Sequence, residues 1–379
     1  MDEPVAVLHV VDCLNVGGTE RQLFELVRRL DRRRWRPLVA CFKAHGELLP
    51  SLRALGVEPM EFPLGGSLTR PGTAWQVARM AWYAHRQGVK LIHTHDFYSN
   101  VVGVAAAQLA GVRAIASRRD LAHWLSPVQR RALRLALKLS DCVIANARAV
   151  GELVLASEFV RADKLRVVPN GIDVAAFDER ARPEPDPALP SSRNAGGKLP
   201  QVAMIAAMHL PDKGHADLLE AAAQLAARGL EADWLILSDG VLRAALEERA
   251  RSLGLAERVH FLGRRADIPA VLARVDLVVH PSWAEGFPNV VLEAMCAARP
   301  VVATRVGGCP ELLIDGENGF LVEPRRPDEL ARAIERVLGD PDRGRALGRR
   351  GRARVERDYS LDRMTETMDN IYSSLTAAA

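Results

Sequence analysis

The chain is expected to be an α/β protein made of two doubly wound domains. Short apolar strand-like runs alternate with amphipathic helical patterns from end to end. The alternation breaks once, at the Pro-, Ser- and Gly-rich stretch Arg182–Pro200, and then restarts. At 379 residues the chain is long for one core and comfortable for two.

In chain order, the first-half strands are Val5–Val11, Leu38–Phe42, Leu91–His95, Arg113–Ser117, Cys142–Ala145 and Leu165–Val168, each short and rich in β-branched or apolar residues. Helical periodicity falls between them at Thr19–Leu30, Thr73–Gln87, Asn100–Leu109 and Pro127–Leu139. The second-half strands are Val202–Ala206, Trp234–Ser238, Val259–Leu262, Leu277–His280 and Val301–Thr304. A closing helix is expected over Ser360–Leu375. This gives a first domain of residues 1–180 plus 360–379, a linker or exposed loop at 181–200, and a second domain at 201–359.

The composition, 48% hydrophobic and 26% charged, is that of an ordinary globular protein. A net charge of +4 is too mild to suggest nucleic acid. No 18-residue apolar run suggests a transmembrane helix, and the N-terminal apolar run reads as a first strand, not a signal peptide. Cys13, Cys41, Cys142, Cys296 and Cys309 are scattered, with no C-x-x-C pair, so buried reduced thiols in a cytoplasmic protein are expected.

The most informative stretch is Ala284–Pro300. Glu285 and Glu293 stand eight residues apart around a Gly-Phe-Pro-Asn turn, between a buried strand and a helix that starts near Asn289. Free N–H groups gather at such a helix start, and the dipole favours an anion. Carboxylates on either side of a phosphate site suit hydroxyls on either side of the phosphates, which is the pattern of a nucleotide-sugar. Lys213, at the turn after Val202–Ala206, suits a diphosphate as a point charge. Gly17-Gly18, after the first strand, lets the backbone approach a ligand closely.

These features together resemble the family 4 retaining glycosyltransferases, which have the GT-B fold. Glu285 to Glu293 match the E-x7-E motif. The resemblance extends through Gly17-Gly18-x-Glu20, Val168-Pro169-Asn170-Gly171-Ile172-Asp173, Lys213-Gly214-His215, His260-Phe261-Leu262-Gly263 and Pro300-Val301-Val302-Ala303. It implies two Rossmann-like domains facing across a cleft, and a sugar transferred from a nucleotide-diphospho-sugar, UDP-linked on family frequency. The acceptor would be a saccharide or lipid-linked saccharide, in cell-envelope or exopolysaccharide assembly. By resemblance, Glu285 lies near the transferred sugar and Glu293 accepts from the ribose. Lys213 neutralises the diphosphate, and Phe287, Pro288, Asn289 and Val290 form the backbone turn around the distal phosphate and sugar. Gly263 belongs to the same donor side.

The sequence departs from the family at two places. An arginine expected before Lys213 is replaced by Ala207 and Met208, which leaves His209, or Arg264, or a weaker phosphate contact. The histidine of a T-x-H pattern is replaced by Arg119, which is left to grip an acidic group on donor or acceptor. His95 and Asp96 could orient a sugar or form an acid–base pair at a strand end. A metal is not expected: there is no D-x-D motif, and His93 and His95 are taken to project to opposite faces of their strand. No cofactor beyond the nucleotide-sugar co-substrate is implied. The resemblance suggests no enzyme nucleophile; the acceptor hydroxyl attacks from the leaving-group side and the donor phosphate takes its proton.

Two basic clusters could meet an anionic membrane surface as a peripheral contact: Arg130, Arg131, Arg134 and Lys138, and the run Arg28, Arg29, Arg32, Arg33, Arg34 and Arg36. Rival readings are a GT-B nucleotide-sugar epimerase or hydrolase, and a non-catalytic nucleotide-sugar-binding protein. A Rossmann dehydrogenase is disfavoured because no G-x-G-x-x-G follows the first strand.

Overall fold

A computed structural model describes residues 3–377 apart from 66–67, 69–70, 122–123, 183–188, 191–192 and 195–196. The chain divides into two compact units, Met1–Gly171 with Leu361–Ala379, and Ile172–Ser360. The helix Val174–Arg180, assigned above to the first domain, belongs to the second unit.

The first unit is built on seven parallel strands: β1 (Val5–Val11), β2 (Trp35–Cys41), β3 (Met60–Glu61), β4 (Val89–Thr94), β5 (Arg113–Arg118), β6 (Cys142–Ala145) and β7 (Leu165–Val167). Their order is β3-β2-β1-β4-β5-β6-β7. The central strands are buried on both faces, as helical crossovers require, so they read as continuous apolar runs. On one face lie the helices Pro71–Arg86, Phe97–Ala110 and Pro127–Leu139, with Met80, Val104 and Leu133 in the core. The C-terminal helix Leu361–Ala377 also packs on this unit. Its Met364, Met368 and Tyr372 share a core with Val7, Trp35 and Leu91.

In the second unit the helix Val174–Arg180 is followed by a short antiparallel pair, β8 (Arg193–Asn194) and β9 (Gly197–Lys198). Its six-stranded parallel sheet comprises β10 (Gln201–Ile205), β11 (Asp233–Leu237), β12 (Val259–Gly263), β13 (Leu277–His280), β14 (Val301–Thr304) and β15 (Phe320–Val322). The order is β12-β11-β10-β13-β14-β15. The stretch expected as an exposed linker is partly outside the described residues, and where described it is not all exposed. Leu189 and Leu199 are buried, as apolar side chains are when they can leave water.

Both sheets reverse direction next to their first strand, at β1/β4 and at β10/β13. In open α/β sheets, ligands bind beyond the strand carboxyl ends at this reversal.

Candidate functional sites beyond the strand ends

In the second unit the reversal point carries Lys213, His280 and Glu285. β10 leads to the turn Pro211–Lys213 and the helix His215–Ala227; β13 ends at His280 and leads through Glu285 to the helix Asn289–Cys296. The Lys213 ammonium donates to Glu285 Oε1 at 2.8 Å, and His280 Nε2 lies 3.1 Å from the same oxygen. Burial pushes the Glu285 carboxyl up, but the His280 contact and the Lys213 charge outweigh it and hold it at about 2. Glu285 is therefore an anion at any physiological pH. Both contacts fall on Oε1, and no described residue is hydrogen-bonded to Oε2.

Three close approaches fix the loops. Gly214 (φ +74°) lies against Pro281, where a Cβ would come within 2.0 Å of the Pro281 carbonyl oxygen. Gly307 (φ +49°) lies against Glu285, where a Cβ would come within 1.9 Å of its carbonyl oxygen. Trp283 spans the Lys213 side: its N–H donates to the Asp212 carbonyl at 2.7 Å, its indole to Asp217 at 2.6 Å, and the Arg325 guanidinium sits 4.3 Å from its ring centroid. His280, Trp283, Asp217 and Gly307 were not singled out from the sequence. The sequence signal for them is their position at a strand end, in turns and, for Asp217, in the first turn of a helix.

Phe287 is buried against Tyr359, with ring centroids 5.8 Å apart, and Pro288 caps the Asn289 helix. Asn289 and Val290 form its first turn; Glu293, half-buried, lies one turn in. Met208 is fully buried in the core, while Ala207 and His209 are exposed beside it. Arg264 is exposed just after Gly263, which ends β12 with φ +68°. The structure thus brings Lys213 and Glu285 together, and shows no described contact between them and His209 or Arg264.

The first unit has its own cluster at the β1/β4 reversal. Asp12, Glu20, His95, Asp96, Arg119 and Trp124 help line a cavity of about 280 Å³. Gly17 caps the helix Gly18–Arg29 so closely to Glu20 that a Cβ would meet its carboxylate at 2.2 Å. The Arg119 guanidinium donates to Asn170 at 3.0 Å; burial lowers its pKa to about 10, against the pull of Glu20. Asp96 does not pair with His95. Its carboxylate accepts the Ser99 and Asp12 N–H groups and caps the helix Phe97–Ala110, and burial raises it to about 6.

His95 itself is fully buried, with Nε2 3.2 Å from His9 Nδ1. His93 and His95 do not project to opposite faces of their strand. Residues two apart on a strand share a face, and their ring centroids are 4.0 Å apart. Ligating atoms of His9, His93 and His95 lie within 4.8 Å of one another, a spacing that could hold a metal ion. Both ring nitrogens of His93 already have partners, however: Tyr372 at 2.6 Å and Ser117 at 2.8 Å. Burial first, then the Arg32 charge, hold His9 down at about 3, and burial holds His93 and His95 well below the usual range, so all three are neutral.

Residues 16–176 match the Glycosyltransferase Family 4 description and residues 199–340 match Glycosyl transferases group 1. The D-inositol 3-phosphate glycosyltransferase of Salinispora tropica is 30% identical over 98% of this chain and 83% of its own length. A GDP-mannose-dependent alpha-(1-6)-phosphatidylinositol monomannoside mannosyltransferase of Mycolicibacterium smegmatis is 31% identical over 69% of this chain and 73% of its own. Anabaena HepE, solved with UDP, superposes with a TM-score of 0.83 at 26% identity, covering 98% of this chain and all of its own; it has also been solved with UDP-glucose. With two sheets of this topology and relatives of this extent, the chain belongs to the group 1, family 4 glycosyltransferases and is a retaining glycosyltransferase of the GT-B fold.

Proposed function

We propose that the protein transfers a sugar from a nucleotide-diphospho-sugar, with UDP as the nucleotide, to a saccharide or lipid-linked saccharide. The setting would be cell-envelope or exopolysaccharide assembly at the cytoplasmic side of an anionic membrane. The observation that carries this reading is the Lys213–Glu285–His280 cluster beside the Asn289 helix start, at the β10/β13 reversal. HepE with UDP and UDP-glucose supports the UDP assignment; the mannosyltransferase, named for phosphatidylinositol monomannoside, supports a lipid-linked acceptor.

In this reading the diphosphate takes Lys213 from Glu285, and the Phe287–Val290 backbone and helix dipole receive the distal phosphate. Glu293 accepts from the ribose hydroxyls. The sugar C1–phosphate oxygen bond breaks, the acceptor oxygen bonds to C1 on the same face, and its proton passes to the departing diphosphate. Glu285, kept anionic, faces the positive charge developing on the sugar. His209 and Arg264 supply a peripheral phosphate contact. The first-unit cavity, with the Glu20 and Asp12 carboxylates and the Trp124 ring, suits a saccharide, and Gly17-Gly18 leave room beside it. His95 and Arg119 act there by holding the cavity wall, since His95 is neutral and buried.

Calorimetric titration with UDP, GDP and ADP tests the donor site on wild type and on Glu293→Ala and Lys213→Ala. Binding of UDP that both substitutions weaken supports it. Preference for GDP overturns the UDP assignment, and binding that neither substitution alters overturns the site. Release of free sugar at full rate without an acceptor would favour the hydrolase or epimerase reading; donor binding without turnover would favour a non-catalytic binder.

A further inference from the structure

The two basic clusters singled out in the sequence have different fates. The run from Arg28 to Arg36 is largely spent on ion pairs: Arg28 with Glu25, Arg29 with Asp362, Arg33 with Asp31 and Arg34 with Asp369. The cluster on the helix Pro127–Leu139 sits in a different setting. That helix packs beside Phe97–Ala110, which packs beside Pro71–Arg86. The three contain no Asp or Glu, in a chain that holds 47.

The outward side of this layer is both apolar and cationic. On the first helix Trp75, Arg79, Trp82 and Arg86 recur at helical spacing, with the tryptophans 62% and 57% exposed. The Arg79 guanidinium lies 5.7 Å from the Trp75 ring centroid and that of Arg86 lies 4.9 Å from Trp82. On the third helix Val128, Arg131, Leu135 and Lys138 form a matching stripe, with Val128 67% and Leu135 58% exposed. Next to it Phe159 is 74% exposed on a left-handed backbone (φ 56°), with the Arg134 guanidinium 5.3 Å from its ring. In the second unit Val241 is the one described large apolar side chain exposed to this degree, with Leu210 and Ile314 less so.

We infer that this three-helix layer of the first unit is the face that lies on an anionic lipid bilayer. Tryptophan favours the headgroup level, where its ring is buried and its N–H stays wet. Lysine and arginine interspersed with apolar side chains match a negatively charged leaflet. A second copy of this chain is a poor occupant, because the layer would bring cations against cations. The inference deepens the membrane part of the proposed function and is independent of which nucleotide the donor carries.

The test is sedimentation of the full chain with vesicles of phosphatidylcholine alone and of phosphatidylcholine with phosphatidylglycerol. Wild type is expected to sediment with the anionic vesicles only, and to be released by high salt. Each cation removed should weaken binding about fivefold, so Arg131→Gln with Lys138→Gln should lose about 30-fold. Trp75→Ser with Trp82→Ser should weaken binding at least as much, while Arg33→Gln, from the paired cluster, should change little. Circular dichroism and an unchanged urea midpoint confirm that the variants are folded. Failure of wild type to bind anionic vesicles overturns both this face and the membrane reading. Binding that survives both double substitutions overturns this face alone. Self-association that Trp82→Ser abolishes overturns the lipid in favour of a protein partner. The donor isotherm can fail or succeed in any of these cases, so failure of the transferase reading is distinguishable.

Discussion

Replacing Glu285 with Gln should remove a pH-dependent part of the second unit's stability. A carboxyl held at about 2 instead of its ordinary 4.5 corresponds to about 3 kcal/mol at neutral pH. Lys213 is 28% exposed and Glu285 14%, so solvent screens part of the attraction and about 2 kcal/mol is the expected loss. The sign follows from a lowered pKa. The contribution is fully present above the unfolded value near 4.5 and drains away as pH falls toward 2. Wild type and Glu285→Gln should therefore differ at pH 7, differ by less than half as much at about pH 3, and converge only near pH 2 and below. Hydrogen exchange of the buried β13 amides, which reads opening of this unit, measures the difference at each pH. Equal protection at pH 7, or a difference that does not shrink in acid, would refute the argument that Lys213 and His280 hold this carboxylate. The same variant leaves Lys213 without an anionic partner, so UDP should bind at least as tightly while sugar transfer falls.

Four further outcomes are expected. Gly307→Ala places a Cβ on the Glu285 carbonyl at a left-handed φ, so transfer should fall at least tenfold in steady-state assays while the protein still expresses folded. Trp283→Phe removes the bond to Asp217, costing about 1 kcal/mol in urea unfolding and raising the donor KM through the Lys213 turn. Tyr372→Phe leaves His93 Nδ1 without its partner in a dry core and should destabilise the first unit by about 1–3 kcal/mol, read by urea unfolding. His9, His93 and His95 are lowered bases, so the stability they contribute is present above their unfolded value near 6.5 and is lost as pH falls. Urea midpoints of the first unit should drop steeply between pH 6.5 and pH 5, each histidine adding up to about 1.4 kcal/mol per pH unit.

The elements most legible in the sequence were those with a one-dimensional signature. The helix Pro127–Leu139 is placed to the residue, because Ser126 caps it and Pro127 starts it. Most parallel strands read as apolar runs, four of them with both ends in place (Val5–Val11, Cys142–Ala145, Leu277–His280 and Val301–Thr304) and the others displaced by up to three residues, as for β2, which begins at Trp35 rather than Leu38. The edge strands β3 and β15, two and three residues long, carry too little pattern to detect. In the candidate site, Glu285 and Lys213 stood out because each lies in a distinctive turn. Their contact did not, since 72 residues separate them and only the β10/β13 pairing brings the turns together. For the same reason His280 reads in the sequence only as the last residue of a strand. The His93–His95 pair was legible in principle from strand periodicity, and the geometry of a pleated strand corrects it.

The C-terminal helix has a consequence for how the protein is made. Tyr372, Met368 and Met364 complete a core whose other walls, Val7, Trp35 and Leu91, leave the ribosome hundreds of residues earlier. The second unit is one uninterrupted segment and has all its strands before Ser360. Synthesis from the N-terminus would then finish the later unit first, while the earlier one waits with an open apolar groove for the helix Leu361–Ala377. A nascent chain stalled just short of Leu361 would hold one finished unit and one chaperone substrate.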